Sequence, residues 1–205
     1  MTIVYRLGSK LYLNITNKCP CSCVFCLRET QGGVGDADNL WLEKEPTLDE
    51  IKVALDCCHP FNGINEIVFC GYGEPMERAN VVVEISRYLK SCAFANKNKP
   101  ALPVRINTNG LVYLICPEFD ISSLAVVDTV SISLNADDEA EYQRLARPRF
   151  GAPSFNALLS FAMDARAYTS VVFSVVEGTM SPQRLENCKR IAKEIGVSFR
   201  LRPRE

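Results

Sequence analysis

The sequence predicts an α/β fold: a partial, TIM-like (β/α)6 barrel behind a short N-terminal hairpin. Three observations lead there. Apolar, strand-like runs alternate with helical patterns along the whole chain, which implies a parallel sheet with helices outside it. Several of those runs alternate polar with apolar residues, whereas the strands of an open sheet covered on both faces read apolar throughout. The 205 residues show no composition break and no repeat period, so one domain spanning 1–205 is expected.

The elements follow in order. "VYRLGSKLYLNIT" reads as a hairpin turning at Gly8–Ser9, with its second arm as the first main strand. "TLDEIKVALDCC" is a helix in which Thr47 and Glu50 form a capping box and Ile51, Ala54 and Leu55 share a face. "EIVFCG" is a strand. "NVVVEISRYLKSC" is a helix with Val81, Ile85, Tyr88, Leu89 and Cys92 at helical spacing. "VRINTN" and "TVSISLN" are strands, separated by a Pro-containing stretch that is helical at most briefly. Helices around "DEAEYQRLA" and "SFNALLSFAMDARA" lead to the strand "SVVFSVV". Ser181 and Pro182 open a helix that Gly196 closes, and "VSFRLRP" is the last strand.

Side chains alternate across a strand, so four of these strands have one polar and one apolar face. The polar sets are Tyr12, Asn14 and Thr16; Arg105, Asn107 and Asn109; Ser131, Ser133 and Asn135; and Ser198, Arg200 and Arg202. Polar faces within a helix-covered sheet need a common wet space, which the lumen of a curved sheet provides. Arg200 and Arg202 share a face opposite Phe199 and Leu201 on the final strand, which points the guanidiniums inward. Buried arginines without carboxylate partners call for an anionic guest, a substrate carboxylate or phosphate or the carboxylate of a cofactor. The alternative is an edge strand that carries exposed charge against aggregation.

At 47% hydrophobic and 23% charged residues with a net charge of −1, the composition offers no general nucleic-acid or membrane surface. The N-terminus is interrupted by Arg6, Gly8 and Lys10, so it lacks a signal peptide's apolar core. No apolar run approaches the roughly 18 residues of a membrane helix. A cytoplasmic location is expected, and there ten cysteines are many. Clustered thiols in a reducing compartment point to metal or redox chemistry and scattered ones to burial. Cys70, Cys92 and Cys188 read as small buried hydrophobes. Cys57, Cys58 and Cys116 leave a second cluster open.

The concentrated thiols are Cys19, Cys21, Cys23 and Cys26 in "NKCPCSCVFCLR", directly after the first main strand. That is the end of a β/α barrel at which active sites are built. A structural zinc site draws its ligands as two separated pairs, and the single histidine, His59, is remote in sequence. Ferredoxin-type sites take a fourth thiol from a distance or add a Cys-Pro tail. Without Cys21 the spacing is C-x3-C-x2-C, three thiolates that would hold three irons of a [4Fe–4S] cube and leave the fourth open. The lack of a second histidine also argues against zinc-hydrolase and Ser-His-Asp chemistry.

This spacing, with Phe25 before the last cysteine, resembles the signature of the radical S-adenosylmethionine (SAM) superfamily. "GYGEP" (Gly71 to Pro75) is similar to that family's Gly-Gly-Glu-Pro motif. "NTNG" (Asn107 to Gly110) and "SISLNA" end the next two strands, where members carry polar residues near SAM. The stretches "YRLGSKLYLNITNKCPCSC", "LWLEKEPT" and "SLNADDEAEYQRLARP" further resemble the small TatD-associated radical SAM proteins. The resemblance implies that Cys19, Cys23 and Cys26 ligate a [4Fe–4S] cluster. It implies that Gly71, Tyr72, Gly73 and Glu74 meet the methionine amine of SAM, that Phe25 lies near the adenine, and that Asn107, Ser133 and Asn135 bond the ribose or carboxylate. It also implies reductive cleavage of SAM to a 5′-deoxyadenosyl radical that abstracts hydrogen from a small-molecule or peptide substrate, with a flavodoxin- or ferredoxin-like electron donor. Tyr72 stands where members usually have a second adjacent glycine.

Two other classes remain open from the residues. An iron–sulfur electron carrier or sensor accounts for the cysteines but not for the motifs at the other strand ends, and a zinc-binding interaction module accounts for still less. Within the superfamily, glycyl-radical activating and deazapurine synthase-like enzymes are alternatives. The stretch from Leu27 to Pro46 is long for a β/α loop and is expected to cap the site or help bind substrate, with Gly32, Gly33 and Gly35 suggesting mobility.

Overall fold

The chain first doubles back at Gly8, whose φ of 60° lies in the left-handed region that a side chain disfavours. The computed structural model describes residues 1–29, 33–91 and 101–203. The turn joins β1 (Val4–Leu7) to β2 (Lys10–Leu13) as the expected antiparallel hairpin, with Tyr5 opposite Tyr12. From β2 onward every pairing is parallel and sequential: β3 (Glu66–Phe69), β4 (Val104–Thr108), β5 (Thr129–Ser133), β6 (Ser170–Val176) and β7 (Ser198–Arg202). The sheet order is β1-β2-β3-β4-β5-β6-β7, so β1 and β7 are edges and the ring is not closed. Yet Tyr5 and Tyr12 line the same cavity as Arg200 and Arg202. The sheet must therefore curl until its two ends face each other, which is the partial barrel.

The helices form where their ends are marked. α1 (Leu48–Asp56) begins with the capping box, Thr47 accepting from the Glu50 N–H while the Glu50 side chain accepts from the Thr47 N–H. α2 (Ala79–Lys90) follows a 3-10 turn, Pro75–Arg78. Its buried residues are Ala79, Val82, Val83, Ile85, Ser86 and Leu89. Val81 and Tyr88, expected on the apolar stripe, are only partly buried. Three consecutive valines allow either helical phase, and packing buries the second and third. Cys92, assigned to the same stripe, lies outside the described residues. α3 (Val112–Ile115) and a 3-10 turn at Ile121–Val126 are the brief helical pieces between β4 and β5. α4 (Glu139–Ala146), α5 (Pro153–Ala165) and α6 (Pro182–Ile195) complete the outer layer. Ser181 caps α6 and Gly196 ends it at φ 77°.

The core lies between sheet and helices. Ile67, Phe69, Val104, Ile106, Val130, Ile132, Phe173 and Val175 contribute the sheet side, each at most 1% exposed. The last strand departs from the expectation: Leu201 is 40% exposed and Phe199 only partly buried, because an edge strand has a neighbour on one side alone. The polar face of β2 departs as well. Tyr12 lines the lumen, but the Asn14 amide donates to the carbonyls of Thr2 and Leu40, and the Thr16 hydroxyl donates to Glu45.

Those bonds hold the stretch after the cysteines against the hairpin. Asn17 and Leu42 exchange two hydrogen bonds, and Arg78 donates to the carbonyls of Ile15 and Pro46. Gly32 is outside the described residues. Gly33 and Gly35 sit where a Cβ would meet the Ala37 and Arg6 carbonyls at 2.1 and 2.2 Å. These two glycines permit close backbone approach, which corrects the expectation that they loosen the loop. No helix among the described residues is long and apolar enough to cross a membrane.

Candidate active site

Four successive strands end at one cavity of ≈ 170 Å³. The loop after β2 contributes Cys19, Cys21, Cys23, Phe25 and Cys26; the loop after β3 contributes Gly71, Tyr72, Gly73 and Glu74. Asn107, Thr108 and Asn109 come from the end of β4, and Ser133 and Asn135 from the end of β5. Every residue assigned from sequence to a cluster or to SAM therefore lines one space. Arg202 lines it too, while Arg200 lines only a larger neighbouring cavity.

The cysteine loop is fixed by its backbone. Ser22 and Val24 donate to the Ala146 and Leu145 carbonyls at 3.0 and 2.9 Å, and Arg149 donates to Pro20 at 2.8 Å. Cys21 forms an isolated antiparallel bridge with Pro148. The Arg28 guanidinium donates to the carbonyls of Tyr72 and Asn17 and lies over the Trp41 ring at 5.4 Å. Cys21 is buried, at 6% exposure, and Cys19, Cys23 and Cys26 are half-buried. The Cys21 thiol hydrogen-bonds toward Cys19 and Cys23, which lowers both of them below the ordinary thiol value and raises its own. Burial raises Cys26.

The Gly71–Glu74 segment is shaped by β2. A Cβ on Gly71 would lie 2.1 Å from Asn14 Oδ1, and one on Gly73 would lie 2.1 Å from the Thr16 carbonyl oxygen. The glycines thus let the strand end lie flush against its neighbour. Tyr72 points between them into a small separate core with Tyr5, Ala37 and Leu40, edge-on to Trp41. A large residue is tolerated there because its ring has a pocket of its own. Glu74 is 4% exposed and is engaged at both oxygens. Oε1 accepts from the Thr108 hydroxyl (2.7 Å) and the Met76 N–H (3.0 Å), and Oε2 accepts from the Asn109 N–H (2.7 Å). Burial raises this carboxyl to about 7. Glu74 therefore ties the end of β3 to the end of β4 as well as lining the cavity.

Asn109 and Gly110 form a turn, and Asn109 also lines the site: Gly110 has φ 79°, and the Asn109 side chain accepts from the Leu111 N–H. Cys70, Thr108 and Tyr142 are lining residues to which the sequence assigned no individual role, although Thr108 lies within the NTNG stretch. Cys70, expected as a buried hydrophobe, lines both cavities. Thr108 holds Glu74, and Tyr142 on α4 brings a buried hydroxyl beside the Cys21 thiol. Cys188 is fully buried as expected. Cys57 is exposed, Cys58 and Cys116 are half-buried, and none of the three lines this cavity.

The residues fit an iron–sulfur cluster and SAM by their chemistry. Soft thiols suit iron, and Asn135 Oδ1 is a buried acceptor with no donor among the described residues, suited to a hydroxyl or ammonium of a guest. Among the described residues no three His, Cys, Asp or Glu side chains are already gathered about a single ion position. A cube presents a separate iron to each thiolate, so its ligands need only ring the space.

Known proteins share sequence and fold with this chain. The sequence model described as the Radical SAM superfamily matches residues 13–182. A GTP 3′,8-cyclase from Rhodococcus opacus (strain B4) is 29% identical over 144 residues, covering 69% of this chain and 36% of that protein. SuiB of Streptococcus suis, in a crystal structure with its precursor peptide SuiA, superposes with a TM-score of 0.69 at 14% identity, covering 98% of this chain and 40% of SuiB. The structure of anSMEcpe with bound AdoMet and the Kp18Cys peptide gives 0.64 at 14% identity, covering 95% of this chain and 50% of that one. The structural likenesses show the shared fold. The chain spans between about a third and a half of the length of these relatives.

Proposed function

The chain belongs to the radical SAM superfamily, and on that premise we propose that Cys19, Cys23 and Cys26 hold its [4Fe–4S] cluster beside SAM, to act on a substrate inside the barrel. The superfamily's cofactors are that cluster and SAM; when bound, they supply a carbon-centred radical that takes a hydrogen atom from a substrate. The observation that carries the reading is the convergence of the cysteine loop, Gly71–Glu74, Asn107 and Ser133–Asn135 on one cavity.

The chain's own residues supply the positioning. Gly71 and Gly73 let the backbone lie flat against Asn14 and Thr16, and a segment without bulky side chains lets an ammonium approach its backbone. Glu74 adds negative charge from a fixed position, since three hydrogen bonds hold it. Asn135 Oδ1, Ser133 and Asn107 offer polar contacts for the ribose or carboxylate of SAM, and Phe25 gives the adenine an apolar wall. Cys21 takes no iron; it is buried and serves the loop as a packing thiol. The barrel acts as a single unit over residues 1–205, reduced by a flavodoxin- or ferredoxin-like donor. The names of the relatives include both a nucleotide and peptides, and the substrate is a small molecule or a peptide.

The test is anaerobic reconstitution with iron and sulfide, reduction with dithionite, and measurement of 5′-deoxyadenosine and methionine from added SAM. Formation of both, and its loss in Cys19→Ala, Cys23→Ala and Cys26→Ala, is the expected result. A reconstituted cluster that cycles between oxidation states while SAM stays intact would identify an electron carrier instead.

A further inference from the structure

The larger cavity, ≈ 470 Å³, adjoins the cysteine cavity through Phe25, Cys26, Cys70, Asn107 and Arg202. Its volume is that of a small-molecule pocket. Its walls differ sharply in character. One is apolar, made of Val24, Phe25, Val34 and the Tyr5–Tyr12 pair, whose rings stack at 5.0 Å. The other carries Lys10, Arg105, Arg200 and Arg202, and among the described residues no Asp or Glu lines the cavity.

Glu66 accounts for two of those four cations. Its carboxylate binds Lys10 at 2.6 Å and takes Arg105 bidentately at 3.0 and 3.1 Å. Arg105 also donates to Asn107 at 2.9 Å, so its guanidinium is occupied. Arg200 is placed otherwise. Among the described residues its one hydrogen bond is a long one, 3.4 Å, to the Ser131 hydroxyl, and its buried Nε meets no acceptor there. Desolvation, with Arg105 and Arg202 nearby, holds this guanidinium below its ordinary pKa. Glu66 acts on it only from a distance, and among the described residues no carboxylate forms an ion pair with this guanidinium.

We propose that this cavity is the substrate pocket for a small phosphorylated metabolite, with its phosphoryl group on Arg200 and Arg202 and its apolar body against the Tyr5–Tyr12 pair. The proposal rests on the reading of the adjoining cavity as the cofactor site. A phosphoryl group offers three acceptor oxygens, enough to engage Arg200 and still reach its neighbour Arg202 on the same strand face, where a carboxylate offers two. The SAM carboxylate is not the anion for Arg200, because Arg200 does not line the cysteine cavity. Tyr5 and Leu7 on β1 and Leu201 and Pro203 on or beside β7 also line the pocket, so the seam between the sheet's two edges gives it an entrance.

Calorimetry on the reconstituted, full-length protein with phenyl phosphate, benzoate and phenol as probes tests this. Phenyl phosphate should bind at least about tenfold tighter than benzoate, with phenol weaker still. Arg200→Met should lose about tenfold or more for phenyl phosphate, the worth of one charge-assisted hydrogen bond. Arg200→Lys, which keeps the charge and protects against a folding defect, should lose less. Equal affinity for phenyl phosphate and benzoate, or unchanged phenyl phosphate binding in Arg200→Met, overturns the proposal. A matching loss of SAM affinity in that variant overturns it too, by moving Arg200 to the cofactor. The cofactor reading is scored separately by SAM cleavage in the wild type. Arginine-dependent phosphate binding without SAM cleavage would overturn the pocket's role in substrate binding while leaving an anion site.

Discussion

Replacing Gly73 by Ala adds one methyl group, and the structure fixes where it goes. The new Cβ would lie 2.1 Å from the Thr16 carbonyl oxygen, 2.6 Å from its carbon and 2.8 Å from Thr16 Cγ2. Ordinary carbon–oxygen contact needs roughly 1 Å more, of the order of the 3.5–4.0 Å at which non-bonded carbons settle. The obstacle is mainly backbone, and Thr16 is held by Glu45 through its hydroxyl, so the relief must come from prising the end of β3 off β2. Overpacking typically costs about 1–3 kcal/mol, and a backbone collision belongs at the upper end, near 3 kcal/mol. Gly151→Ala is the comparison: at φ 65° with nothing within 4 Å of the new Cβ, it bears only the left-handed backbone cost, about 1 kcal/mol. Urea denaturation of both variants, anaerobic and metal-free, measures the difference at equal m-value. Gly73→Ala should also weaken SAM binding in the reconstituted protein, since the segment facing the cavity has moved. A Gly73→Ala variant as stable as Gly151→Ala would show that the strand end is not packed as described, and the steric argument would fail.

Two further outcomes follow from the same site. Cys21→Ser should leave iron content and the visible spectrum of the reconstituted protein nearly unchanged, whereas Cys19→Ser, Cys23→Ser and Cys26→Ser abolish both; equal iron loss at Cys21 would place it among the ligands. Glu74→Gln should flatten a pH dependence of stability. Burial raises the Glu74 carboxyl from 4.5 to about 7, so the folded protein holds this proton where the unfolded chain has released it. Its contribution is complete below pH 4.5 and is lost as pH rises through 7, a span of roughly 3 kcal/mol. The stability of the metal-free wild type relative to Glu74→Gln should therefore fall between pH 5 and 8, and a constant difference would remove Glu74 as the cause. The same variant should bind SAM about tenfold more weakly, through loss of one charge-assisted hydrogen bond.

Element by element, the fold was legible because its ends are marked locally. The Thr47–Glu50 box, Ser181 and Gly196 each act within a few residues, and the structure uses all of them. The lumen was legible through alternation on β4, β5 and β7, where Arg105 and Asn107, Ser131 and Ser133, and Arg200 and Arg202 recur every second position. The same rule misled on β2. Asn14 and Thr16 have the right phase, but their environment is set by the Leu40–Pro46 stretch, whose return to the hairpin has no local signature. Cys70 was missed for a related reason: a small, weakly polar residue on a strand has the same composition whether it faces core or cavity. Glu74 was assigned to the site from its motif. Its bonds to Thr108 and Asn109 depend on two strand ends meeting, which no single stretch records. Tyr142 reaches the cavity from a helix face that reads as ordinary core.

The sequential order of the sheet bears on how the chain assembles as it is synthesised. Each strand from β2 onward pairs with the one just made, so the sheet can grow outward from the hairpin without waiting for a later strand to be inserted. The cysteine loop does not share this schedule. It follows β2 near the start, but the carbonyls that anchor it belong to Leu145 and Ala146, at the end of α4. Through the synthesis of β3, β4 and β5 its four thiols hang from a growing edge without their final backbone partners. The part of the molecule most sensitive to oxidation is made early and secured late, so its safekeeping in that interval falls to the reducing power of its surroundings.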